Sequence, residues 1–346
     1  MKVSVAGYQA ISILRGGPNT QIRETARHLP ASGVEVSFFD PWRPFGAGDA
    51  DLVHIFAANL GTYHLAREIH ALGIPLVVSP IIYSSHSHSF VRTSLAATRL
   101  AQRAGRGIWS DYAFAADICS WAKHLVPNTQ READLVAEGL GISREKITVV
   151  PNGVDARFAS GDPSLFEKRY GLRNFILTVG HTGHERKNVL ALIRALGGID
   201  HPAVIVGRII RSPYGDACVA EARKHPHITL IDGLEPGGEM LASAYAACDT
   251  FVLPSLFETP GIAALEAGLA GAKVVITKHG GTDEYFGGHA EYVDPHSVES
   301  IREGIRRALG RKKGGELAAR IRERYLWERV AEQTAAVYRR VAGPRR

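Results

Sequence analysis

The sequence predicts an α/β chain of two Rossmann-like parallel-sheet domains facing an interdomain cleft. Short apolar runs alternate with helix-length stretches, as in parallel strands joined by right-handed crossovers. The alternation runs twice, and each run opens on a strand ending in glycine, at Gly7 and at Gly180. The chain's 346 residues also exceed what one hydrophobic core usually organises.

In the first half, 2–7 (KVSVAG) reads as a buried strand. The loop 15–19 (RGGPN) opens a helix over about 20–29. Strands are expected at 34–39, 51–56 and 75–82, the last weakened by Pro80. Helices are expected at 62–72, 90–106 and 112–122. A short strand at 124–127 precedes a helix at 129–138, where Thr129 and Glu132 have capping-box spacing. Residues 146–150 then run into Pro151-Asn152-Gly153, a turn signal.

The alternation restarts after a polar stretch at 156–162. Strands are expected at 174–180, 203–207, 228–232, 250–253 and 273–277. Helices fall at 189–196, 217–224, 239–247 and 261–270, and further helices close the chain. The domain expectation is 1–158, then 159–325, with 326–346 a helix and basic tail packing back toward the first domain.

Apolar residues at 45% and charged residues at 22% exclude a disordered or collagen-like chain. Three widely spaced cysteines form no metal-ligand cluster and suggest a reducing compartment. No apolar run is long enough to span a bilayer, and the first strand leaves no room for a signal peptide, so a cytoplasmic protein is expected. From 301 to 346 there are fourteen Lys or Arg against five Glu, within a net charge of +6. That basic end reads as a solvated helix or an anionic-membrane face. Tyr325, Trp327 and Tyr338 are not spaced as a stacking platform, which argues against nucleic acid.

Ligands of open parallel sheets collect outside the carboxyl ends of the strands. The loops 15–19, 180–188 and 255–262 are therefore the candidates. In the last, Pro260 is placed at the first helical position and Gly261 lets a ligand approach the backbone. The amides of Gly261, Ile262 and Ala263 would form an anion site at the positive helix end. Glu258 stands just before that helix and Glu266 inside it, so two carboxylates can address hydroxyls on either side of a bound phosphate.

The segment 257–267 (FETPGIAALEA), with seven residues between its two glutamates, closely resembles the signature of retaining glycosyltransferases of family 4, which have the GT-B fold. The resemblance extends to Gly16-Gly17, 150–155 (VPNGVD), Val179-Gly180 with Arg186-Lys187-Asn188, Gly280-Gly281 with Glu284, 292–295 (YVDP) and Trp327. It implies a donor-binding second domain and an acceptor-side first domain. It implies that Glu258 meets donor-sugar hydroxyls, Glu266 the ribose, and Arg186 and Lys187 the diphosphate. Glu258, Lys187 and Arg186 are thus the expected catalytic set. Gly17, His181, Gly261, Ile262, Ala263 and Glu266 join them in holding the donor. A leaving diphosphate gathers negative charge, which preorganised cations and helix amides stabilise.

Two positions depart from the family. His181 stands where relatives often have Arg, and Ile81 where they often have His. His86 and His88 could supply an imidazole to sugar or acceptor, or form an exposed loop. They have no acidic or Cys partner in sequence that would suggest a metal. Asp49-Ala50-Asp51 reads as charges flanking a strand, and the resemblance implies catalysis without a metal or other cofactor. Arg92, Arg99, Arg103 and Arg106 fall on one helical face, either a solvated surface or an attachment to an anionic inner-membrane face.

The expected activity is transfer of a hexose-type sugar from a nucleoside-diphosphate-sugar to a hydroxyl of a glycan or lipid-linked acceptor. A nucleotide-sugar epimerase or phosphorylase on the same fold, or a non-catalytic nucleotide-sugar-binding protein, stays open. A NAD-dependent dehydrogenase does not fit, because Gly7-Tyr8-Gln9 lacks the Gly-x-Gly-x-x-Gly turn.

Overall fold

The computed structural model describes residues 1–13, 16–105 and 107–342. Arg15 of the first glycine loop and Arg106 of the arginine stripe lie outside them. The chain divides into two compact units. One is Met1–Gly153 with the helix that begins at Trp327, and the other is Val154–Leu326.

The first unit runs β1 (Lys2–Ala6), α1 (Gly17–His28), β2 (Glu35–Phe38), β3 (Leu52–Phe56), α2 (Leu60–Ala71), β4 (Leu76–Ser79), α3 (His88–Arg103), α4 (Asp111–Trp121), β5 (His124–Leu125) and α5 (Gln130–Asp134). The five strands are parallel in the order β2-β1-β3-β4-β5. Apolar clusters cover both sheet faces, as a wholly parallel sheet requires. Thr129 caps α5, its hydroxyl accepting the Glu132 N–H at 3.0 Å. The buried Glu132 carboxylate accepts the N–H groups of Asn128 (2.7 Å) and Ile82 (3.0 Å), pinning the loop after β4. Beside that clamp Ile81 has a left-handed backbone, φ 52°.

The second unit runs α6 (Pro163–Tyr170), β6 (Ile176–Val179), α7 (Val189–Leu196), β7 (Ala203–Val206), α8 (Pro213–Ala222), β8 (Ile228–Ile231), α9 (Glu239–Ala247), β9 (Thr250–Leu253), α10 (Ile262–Leu269), β10 (Lys273–Thr277), α11 (Thr282–Phe286), β11 (Ala290–Val293), α12 (Val298–Gly310) and α13 (Glu316–Arg324). Its six parallel strands have the order β11-β10-β9-β6-β7-β8. Val154 and Leu326 form a parallel bridge, and the Val154 N–H donates to the Tyr325 carbonyl at 2.7 Å, so entry to and exit from this unit lie side by side.

The last helix, α14 (Trp327–Ala342), belongs to the first unit. Trp327, Val330, Ala331 and Tyr338 pack with Val3, Val5, Leu52 and Phe56 on β1 and β3. Gly153 has a packing reason beyond its turn: a Cβ there would lie 2.4 Å from the Trp327 indole. Beneath α14, His54 of β3 is fully buried. It hydrogen-bonds with the Tyr338 hydroxyl (2.6 Å) and the Ser79 hydroxyl (3.0 Å), and stacks on Phe56. Burial lowers the His54 pKa to about 3. No described helix is long and apolar enough to cross a membrane.

Candidate active site

Strand order decides where the second unit can bind. β6 lies between β7 and β9, so the winding reverses at the β6–β9 pair. The helices that follow these strands, α7 and α10, pack into different apolar clusters. The two loops therefore part at the carboxyl ends of β6 and β9 and leave a crevice, the usual ligand position of open α/β sheets.

The first loop leaves β6 and closes as a tight turn over Glu185–Lys187, ended by Asn188 with φ 56°. The Asn188 amide donates to the carbonyls of Pro254 (3.1 Å) and Pro295 (2.7 Å). The Leu256 N–H donates to the Arg186 carbonyl at 2.8 Å. These bonds lock the loop after β6 to the loop after β9. The Lys187 stem also passes over Gly180, 3.6 Å from where a Cβ would stand.

Lys187 Nζ, so held, donates to Glu258 Oε1 at 2.6 Å. Arg186 Nη1 donates to the same oxygen at 3.3 Å and to the Phe257 carbonyl at 3.0 Å. The guanidinium lies 5.2 Å from the centre of the Phe257 ring, a cation–π distance. Burial pushes the Glu258 carboxyl pKa up, but the charges of Lys187 and then Arg186, with the Lys187 hydrogen bond, outweigh it and leave the carboxyl below its ordinary value. Glu258 is thus an ionised, almost enclosed hydrogen-bond acceptor. The same cations are felt by His184, whose pKa is lowered by burial, then by His181, Arg186 and Lys187.

A third loop supports Glu258 from behind. The Glu258 N–H donates to the His279 carbonyl, and the Gly281 N–H to the Glu258 carbonyl, both at 3.1 Å. Gly280 has φ 98°, and a Cβ there would stand 1.9 Å from the Glu258 carbonyl oxygen. Only glycine meets both demands.

The helix mouth differs from the expectation in one respect. Pro260 is not the first helical residue. Gly261, at φ 86°, takes the cap position, so α10 begins at Ile262 and Pro260 stands outside it, behind a cis peptide bond from Thr259. A left-handed cap cannot continue as a right-handed helix, which moves the start from the expected 261 to Ile262. Ala264 and Leu265 donate to the Gly261 carbonyl, leaving Ile262 and Ala263 without a carbonyl one turn back. Their amides belong to the first turn, at the positive end of α10, where helices bind anions. Further along, Glu266 Oε2 accepts a 2.7 Å hydrogen bond from the hydroxyl of the buried Tyr245 on α9. Nothing in the local sequence marks Tyr245, and the resemblance that includes Asn188 does not show which carbonyls its amide holds.

Arg186, Lys187, Glu258 and the 261–263 segment are thus joined through contacts within the second unit. Next to Gly180, His181 lies edge-on to His184 with ring centres 5.6 Å apart. The remaining candidates belong to the first unit. Gly17 is the exposed first residue of α1. His86 is exposed and rests on Phe90, ring centres 4.4 Å apart. His88 pairs with Glu138 at 3.0 Å.

Along α3, Arg92 donates to the Glu138 carbonyl and Arg99 pairs with Asp117, while Arg103 is exposed. Asp49 and Asp51 accept backbone N–H groups of Gly46 and Lys2, both at 2.7 Å. Among the described residues no three His, Cys, Asp or Glu gather as a metal-binding group.

The family described as glycosyl transferases group 1 matches residues 166–325, and the glycosyltransferase family 4 matches 42–158, together more than half of the chain. A D-inositol 3-phosphate glycosyltransferase of Actinosynnema mirum is 26% identical over 317 residues, covering 84% of this chain and 72% of its own length. Many solved structures are similar, among them the following two. A sucrose-phosphate synthase of Thermosynechococcus elongatus has a TM-score of 0.76 at 18% identity, covering 98% of each chain. The Anabaena protein HepE, in complex with UDP and glucose, has a TM-score of 0.71 at 19% identity, covering 98% of this chain and 99% of its own.

Proposed function

The chain belongs to the group 1 glycosyltransferases of family 4 and has the GT-B fold, and from that premise we propose how it works. It moves a hexose-type sugar from a nucleoside-diphosphate-sugar to a hydroxyl of a glycan or lipid-linked acceptor, with retention and without a metal. The observation that carries this reading is the Lys187–Glu258–Arg186 cluster beside the open amides of α10.

The second unit holds the donor. Its diphosphate lies against the amides of Ile262 and Ala263 and against Lys187 and Arg186. Lys187 carries three N–H donors, so it can keep Glu258 and still serve a phosphate oxygen. Glu258, held ionised, accepts hydroxyls of the sugar, and Glu266 accepts the ribose. As the glycosidic bond breaks, charge grows on the leaving phosphate where fixed cations and a helix end already point. This takes the place of a metal ion. The leaving phosphate then receives the acceptor's proton on the face from which it departs, which retains configuration.

The first unit takes the acceptor. The inositol-phosphate enzyme among the relatives and the UDP and glucose seen with HepE support a nucleotide-sugar donor and a hydroxyl acceptor. In this proposal the protein works in the cytoplasm and meets an anionic membrane face through α3, where Arg103, Phe90 and Leu100 are exposed.

The test is incubation with UDP-, GDP- and ADP-hexoses and a panel of hydroxyl acceptors, with and without a chelator. Product anomers are read by NMR. Acceptor-dependent release of nucleotide that survives chelation and retains configuration is expected. Turnover without an acceptor, or an inverted product, would overturn the proposal.

A further inference from the structure

We propose that Tyr245 is the positioning residue that makes Glu266 a ribose acceptor, a role that rests on Glu266 meeting the ribose as proposed above. Glu266 lies beyond the mouth of α10, half-buried, on a flexible side chain. Left to itself such a side chain samples several rotamers, and a ligand must then supply the entropy of ordering it. Tyr245 holds one of the two Glu266 oxygens in place. Its ring is fully buried, edge-on to Phe158 and Phe251 at 5.5 and 5.9 Å, so the phenol cannot swing. Its hydroxyl meets Glu266 Oε2 at 2.7 Å, a charge-assisted bond fixed in direction by the core.

Burial, and then the charge and hydrogen bond of Glu266, raise the Tyr245 pKa well above 10, so the phenol remains a donor over the whole working range. The core of the second unit thus reaches through one hydroxyl to a ligand-facing carboxylate. A tyrosine serving packing alone would need no hydroxyl there, since phenylalanine fills the same volume.

The test compares Tyr245→Phe and Glu266→Gln with the parent protein by calorimetry. UDP, GDP and ADP are titrated first, and the tightest is carried forward beside its 2′,3′-dideoxy counterpart. Tyr245→Phe is expected to weaken the ribonucleotide about tenfold, the scale of one hydrogen bond to a charged group, and to leave the dideoxy probe unchanged. Glu266→Gln should show the same selectivity with a larger loss. If Glu266→Gln is selective but Tyr245→Phe weakens both probes alike, or neither, the positioning role is wrong and the ribose reading stands. If Glu266→Gln fails to distinguish the probes, or no nucleotide binds, both fall together.

Discussion

Lys187 Nζ and Glu258 Oε1 lie 2.6 Å apart, although the residues are separated by 71 positions and stand on loops from different strands. The pair is a product of strand order. β6 and β9 are neighbours in the sheet, so the loops that leave them meet. A buried ion pair adds little net stability, but removing one partner leaves the other uncompensated. The pair therefore sets charge at a defined point.

Lys187→Ala and Glu258→Ala should each lower turnover at least ~100-fold, the scale of losing one preorganised transition-state contact. Steady-state rates of the two purified variants decide this. Near-normal turnover in both would contradict the site assignment.

Glu258 should govern an acid limb of the rate profile below the ordinary carboxylic-acid range, because the cations hold its pKa down. Replacing Lys187 with Met removes the largest of those opposing charges and its hydrogen bond, leaving Arg186 as the one cation opposing burial. The limb of kcat/KM should then move to higher pH in the residual activity. A limb that stays in place would show that Glu258 is not the titrating group.

Gly280→Ala should cost more than Gly271→Ala. Both residues have left-handed backbones, at φ 98° and 89°, but only the Gly280 site is filled by the Glu258 carbonyl. The strain-only variant is expected to lose about 1 kcal/mol and the filled one at least twice that, a difference of a few degrees in Tm. Thermal unfolding of the two proteins checks the order. Equal losses would mean that the loop behind Glu258 yields easily.

His54 should make the first unit acid-sensitive before its carboxylates titrate. Its folded pKa, about 3, lies below the 6.5 of an exposed imidazole, so the unfolded chain binds the extra proton first. The stabilisation is complete above pH 6.5 and declines as pH falls toward 3. Between pH 6.5 and 5, the slope of unfolding free energy with pH should be smaller in His54→Gln than in the parent. Identical slopes would show that His54 does not carry the effect.

Much of this was legible in the sequence because parallel strands buried on both faces read as short apolar runs. The first sheet follows the expected alternation, and β6, β9 and β10 lie within their predicted spans, but β11 at Ala290–Val293 adds an edge strand where only helices were expected. The 255–262 loop stood out because Pro, Gly and Glu act over a few residues. What could not be read is non-local. Pro260 matched a helix start, yet the left-handed Gly261 decided where α10 begins. Glu132 fitted a capping box, but its carboxylate also clamps Ile82, fifty residues away in sequence. Tyr245 looks ordinary until folding brings it to Glu266, and the partner of Asn188 at Pro295 lies 107 positions away.

The place of α14 has a consequence for synthesis. The first unit's core needs Trp327, Val330, Ala331 and Tyr338, which leave the ribosome only after every residue of the second unit has emerged. The second unit, with both its ends joined at Val154 and Leu326, can therefore mature while the earlier-made half still lacks the α14 part of the cover over β1 and β3. The half made first is thus the half whose core is completed last.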